Sequence, residues 1–221
     1  MFNYHTQVSA EDRRILFLGD IPVHLFNDAV SKQKVIEDFI SKVNKSIKGK
    51  ILSFIRSIRI GYFAALRDKG FDAVYYNGVV FMNAEMKDGE SFYRAFVHEL
   101  GHAVEESFQE MVYEDSNLIH EFMVKKAKLL EILENHYNLA FSKEDFSQMH
   151  TTSRMDEVFE EIGYSKLTTF SVGIFVSPYA AYSIREYFSR GFEDFFASDE
   201  KRSQLRDISP VLYEKIESLF V

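Results

Sequence analysis

His98-Glu99-Leu100-Gly101-His102, with Phe96-Val97 before it and Ala103-Val104 after it, is the stretch that decides the fold. On a helix, residues four apart share a face, so the two imidazoles converge on one point while Glu99 reaches the same neighbourhood. Such donors suit a zinc ion, and a catalytic zinc keeps one position open for a water. The apolar flanks predict a buried helix. Two histidines and a glutamate buried there need partners, because an unpaired buried polar group costs about 1–3 kcal/mol. Gly101 costs about 1 kcal/mol against alanine in a helix interior, which fits a backbone passing close to another element. The ordinary alternative is a helix carrying two surface histidines, and the flanks count against it.

At 221 residues, 46% hydrophobic with 22 Phe and 12 Tyr, the chain can build one large domain, or a compact domain with an insertion. A net charge of −8 and the lack of a basic tract argue against a nucleic-acid binder. The positive residues scattered over 42–59 lie among apolar ones and read as one face of a helix. With no cysteine, ligands must come from His, Asp and Glu, and thiol chemistry is excluded. Met1-Phe2-Asn3-Tyr4-His5 lacks the charged-then-apolar order of a signal peptide, and no apolar run reaches membrane-spanning length. The expectation is a soluble protein whose compartment stays open.

Outward from the motif, Asn77-Gly78 marks a hairpin turn between strands Ala73–Tyr76 and Val79–Asn83. A strand just ahead of the motif helix resembles the zincin arrangement, which implies a cleft wall with the edge of Val79–Asn83 free to pair with an extended peptide; the alternative is a core strand with both edges filled. Residues 14–18 read as a strand, 31–48 as a helix, and 62–69 as a shorter helix stopped by Gly70. Residues 117–136 form a further helix, 167–176 a strand or hairpin, and 178–196 one long aromatic helix. Ser209-Pro210 opens a closing helix.

A third ligand is required. His120, His136, His150, Glu157, Glu160, Glu161, Glu186, Glu193 and Asp194 are the candidates. His120 and His136, on an amphipathic helix, and the acidic cluster Glu157, Glu160 and Glu161 read as solvated. Glu186 lies in the dense aromatic run Tyr179-Ala-Ala-Tyr-Ser-Ile-Arg-Glu-Tyr-Phe, where a carboxylate is expensive unless it meets a cation. That cation is the zinc or, alternatively, Arg185 or Arg190.

The run 96–104, with Tyr179 seven residues before Glu186 and Tyr187-Phe188 after it, resembles the catalytic domain of anthrax toxin lethal factor and its relatives, which include the clostridial Pro-Pro endopeptidases. The likeness covers residues 60–136 and 176–221. It implies an α+β, zincin-like (gluzincin) metallopeptidase domain over residues 1–221, with a small sheet over the motif helix and a mainly helical C-terminal part. One zinc ion would be held by His98, His102 and Glu186. Glu99 would act as general base, and Tyr179 would aim its hydroxyl at the oxyanion. Substrates would be proteins or peptides, and a toxin-like setting would make the chain secreted or host-delivered. Relatives that kept the fold but lost the motif supply the competing reading, an inactive binding or structural module. Two departures stand out. Residues 137–176 look like an insertion, and Arg190 stands where the family has an acidic residue, for which Glu193 is a possible substitute.

Overall fold

The computed structural model describes residues 13–47, 49–136, 142–150 and 153–220. The N-terminal residues read for a leader, the end of the first helix at Lys48, and Phe141 lie outside them. The chain divides into two compact units, Met1–Ser107 and Phe108–Val221. Together the described residues form an α+β architecture that is mostly helical, with one five-stranded mixed sheet.

The first unit carries the sheet. Its elements are β1 (Arg13–Leu18), β2 (Ile21–Phe26), α1 (Gln33–Ser46), β3 (Ser57–Gly61), α2 (Ala64–Arg67), β4 (Ala73–Tyr76), β5 (Val79–Asn83) and α3 (Gly89–Ser107). The strand order is β1-β2-β3-β5-β4. β2, β3 and β5 run parallel, while β1 and β4 are antiparallel to their neighbours. The central strands contribute Val23, Leu25, Ile58, Ile60, Val80 and Met82 to the core. Helices α1 and α3 pack through aromatic rings, Phe39 lying 5.5 Å from Phe96 and 6.1 Å from Phe92. On a different cluster, Phe63, Leu66 and Phe81 pack with Phe26, Val74 and Val79.

Two expectations change here. β5 is not a free edge: Ser57–Gly61 pair with all of it on one side, and β4 covers Val79 to Met82 on the other. Four of its five residues are buried, the burial of a central strand. β4 ends the sheet instead. The positive residues of 42–59 also do not share one helix. α1 stops at Ser46, and Arg59 belongs to β3, where β-branched Ile58 and Ile60 alternate with it and face inward.

The second unit is helical: α4 (Gln109–Tyr113), α5 (Asn117–His136), α6 (Lys143–Phe146), α7 (Ser153–Ile162), α8 (Tyr164–Ser171), α9 (Ile184–Ala197), α10 (Asp199–Ile208) and α11 (Pro210–Ser218). The run 167–176 is no strand. Leu167 and Ser171, four apart, are the buried face of α8. Its threonines tolerate the helix by bonding back one turn, Thr168 Oγ1 to the Tyr164 carbonyl at 2.9 Å and Thr169 Oγ1 to Ser165 at 3.1 Å. Nor is 178–196 one helix. A 3₁₀ turn covers Pro178–Ala181, and Ser183 is extended (φ −152°, ψ 165°), which restarts the chain as α9. α9 and α11 approach closely at Gly191, where a Cβ would meet Leu212 Cδ2 at 2.4 Å.

Candidate metal centre

α3 supplies most of the candidate chemistry. Asp88 caps it, accepting from Ser91 N and Ser91 Oγ, each at 2.8 Å. Phe92, Tyr93, Phe96, Val97, Leu100, Ala103 and Val104 are buried along it, so the motif is held by packing on several sides. His98 and Glu99 are buried and His102 is half-buried. The two imidazoles meet edge to face with ring centroids 4.9 Å apart, as the four-residue helical spacing requires.

Glu99 is only 7% exposed. Its Oε2 accepts a hydrogen bond from the backbone N–H of Tyr75 on β4 at 2.6 Å. Tyr75 was not among the residues the sequence singled out. No side-chain pattern marks it, since it acts through its main chain.

Glu186 does not sit mid-helix. It lies in the first turn of α9, where its own N–H donates to Ser183 Oγ at 3.2 Å. The positive end of a helix favours a carboxylate in that turn. The Ser183-x-x-Glu186 spacing is a capping-box pattern that could have located this boundary from sequence. Tyr179 belongs to the preceding 3₁₀ turn, capped by Ser177 Oγ accepting from Ala180 N at 3.3 Å. Its ring stacks on Tyr182 at 5.1 Å and carries the Arg190 guanidinium 5.5 Å from its centre. Tyr182 in turn donates to Asp156 on α7. Burial and this contact hold the Tyr182 hydroxyl well above the ordinary tyrosine range. Arg190 pairs with buried Glu193 at 2.8 Å. Glu193 therefore has a charge partner of its own.

Among the other candidates, His120, His136, Glu157, Glu160 and Glu161 are exposed, in line with their solvated reading, and His150 is exposed as well. His136 stacks on Phe170. One group of possible metal-holding side chains occurs among the described residues: ligand atoms of His98, His102 and Glu186 all lie within 4.8 Å of one another. Two imidazoles and one carboxylate form a donor set suited to zinc, and three ligands leave a position open. No family model, no curated protein and no solved structure matches the chain.

Proposed function

We propose that the chain is a zinc-dependent metalloendopeptidase of the lethal factor-like, gluzincin type. The observation that carries this reading is the convergence of His98, His102 and Glu186 within 4.8 Å. These residues would hold one zinc ion. When bound, the ion supplies Lewis acidity, which brings the pKa of a bound water near neutrality and polarises a carbonyl oxygen.

The remaining steps fall to the chain's own groups. Glu99, one residue from a ligand and shielded from solvent, takes the proton of the attacking water and passes it to the leaving amine. The Tyr179 hydroxyl donates to the oxygen that gains charge as the carbonyl is attacked. Stacking on Tyr182 and the Arg190 contact restrict the motion of that ring. A substrate peptide would pair with β4, the strand that ends the sheet, through outward backbone groups other than the Tyr75 N–H, which Glu99 holds.

Cleavage of a peptide library with and without chelator tests the reading. Cleavage that chelator abolishes and added zinc restores, and that is missing from Glu99→Gln, is the expected result. Cleavage that chelator leaves intact, or no cleavage by the zinc-loaded protein, would overturn it.

A further inference from the structure

The hydrogen bond between Glu99 and β4 originates in the hairpin turn. Asn77 (φ 47°) and Gly78 (φ 75°) form the two-residue connection between β4 and β5. Both central residues have positive φ, the turn whose twist matches paired strands. The turn sets Tyr76 opposite Val79, Tyr75 opposite Val80 and Val74 opposite Phe81. In an antiparallel ladder, residues that bond to the partner alternate with residues whose N–H and C=O face away. Asn83 N donates to the Asp72 carbonyl at 2.8 Å, so residue 72 faces inward. The alternation then turns Val74 and Tyr76 inward and Ala73 and Tyr75 outward. β4 ends the sheet, so no further strand among the described residues takes the Tyr75 amide. Glu99 Oε2 takes it instead, at 2.6 Å.

We infer that the Tyr75 backbone amide is the positioning group for the general base, and that the Asn77-Gly78 turn sets the phase that makes it available. This rests on the peptidase reading. A glutamate side chain has three rotatable bonds, and a charge-assisted hydrogen bond to a rigid strand restrains the last of them. Oε2 is anchored, which leaves Oε1 to accept the proton. A one-residue slip of the hairpin would turn the Tyr75 N–H inward and free Glu99. Tyr75 is thus a positioning residue through its main chain, whatever its side chain does.

Two variants delete the donor. Tyr75→Pro removes the N–H at an edge position where proline is tolerated. Replacing the 74–75 amide by an ester, with the hydroxy-acid analogue of tyrosine at 75, removes the same hydrogen and keeps the side chain. An ester at the 73–74 linkage is the control, since it deletes an inward N–H instead. In the zinc-loaded protein, acting on a quenched-fluorescent peptide from the library, the 74–75 ester should lower kcat by about 10- to 100-fold, the cost of a base displaced by about an ångström. KM and zinc affinity should stay within about twofold, and the control ester should leave kcat near the wild-type value. Unchanged kcat in the 74–75 ester, or equal losses in both esters, would overturn the inference.

Amide hydrogen exchange reads the contact without any substrate. The Tyr75 amide should be protected in the wild type and exchange about tenfold faster or more in Glu99→Ala, the loss of a bond to a charged group. Equal exchange in both proteins removes the anchor, however the cleavage assay falls. A protected amide in a wild type that cleaves no library peptide removes the peptidase reading instead.

Discussion

Helices α3 and α5 are nearly the same length, 19 and 20 residues, and both bury polar groups, yet they use them differently. On α5, Glu121, Lys125 and Lys126 are consumed by backbone groups and hydroxyls of the same unit. Glu121 accepts from Tyr187 Oη at 2.7 Å, Val211 N at 3.0 Å and Leu212 N at 3.1 Å, which satisfies the first turn of α11. Lys125 donates to the Ile174 carbonyl at 2.6 Å, to the Ile208 carbonyl at the end of α10, and to Ser209 Oγ at 3.1 Å. Lys126, 1% exposed, donates to the Gln148 carbonyl between the rings of Phe122 and Phe146. On α3, by contrast, two imidazoles converge on one region, and Glu99 accepts from the strand amide of Tyr75. Buried charge by itself therefore does not mark a site. Convergence of donors with a position left over does.

The sharpest way to break this contrast is Glu99→Gln. The zinc-loaded variant should lose about 10²–10⁴ in kcat while keeping its metal, the contribution of a general base. Retained turnover, measured on a cleaved library peptide, would make α3 as structural as α5. Tyr179→Phe should cost about 10²–10³ in kcat, the usual loss for one oxyanion donor, with zinc content unchanged. A loss confined to KM would assign the hydroxyl to binding.

The α5 side predicts stability effects without metal effects. Glu121→Ala leaves three donors without their acceptor and should destabilise by about 1–3 kcal/mol in urea denaturation. Its zinc affinity should match the wild type. Lys126 gives the most specific signal, read as a slope against pH. Burial pulls its pKa down from 10.5 to about 7. Between those values the unfolded chain holds a proton that the folded chain lacks, so folding stability rises with pH across that window and is flat on either side. One such lysine contributes at most about 1.4 kcal/mol per pH unit. Lys126→Met should remove that component of the rise. Lys125, lowered to about 8 chiefly by burial, would still contribute above pH 8.

What was legible in the sequence follows the same division. Periodicity and caps located α3, α5 and α11, and the Asn77-Gly78 turn placed β4 and β5. These signals are local, because a helix face or a type I′ turn is written within a few residues. Which strand ends the sheet is set by pairing between distant segments. β5 looked like a wall from its place just ahead of the motif helix and proved central because β3 arrives parallel to it. The pairing of β2 with β3 carries no local signature either. Among the candidate site residues, residue type, spacing and surroundings singled out His98, Glu99, His102 and Glu186, of which the two histidines and Glu186 lie together. Tyr75 was not, because a backbone amide has no letter. The break at Ser183 was hidden by the aromatic density of 179–196, although the Ser183-x-x-Glu186 pattern was present.

Zinc stoichiometry after exhaustive dialysis tests the central claim most directly, measured side by side for the wild type and Glu186→Ala. A centre built from His98, His102 and Glu186 requires one ion per chain in the wild type and a lost or strongly weakened ion in the variant. Full occupancy in Glu186→Ala, or none in the wild type, would contradict it.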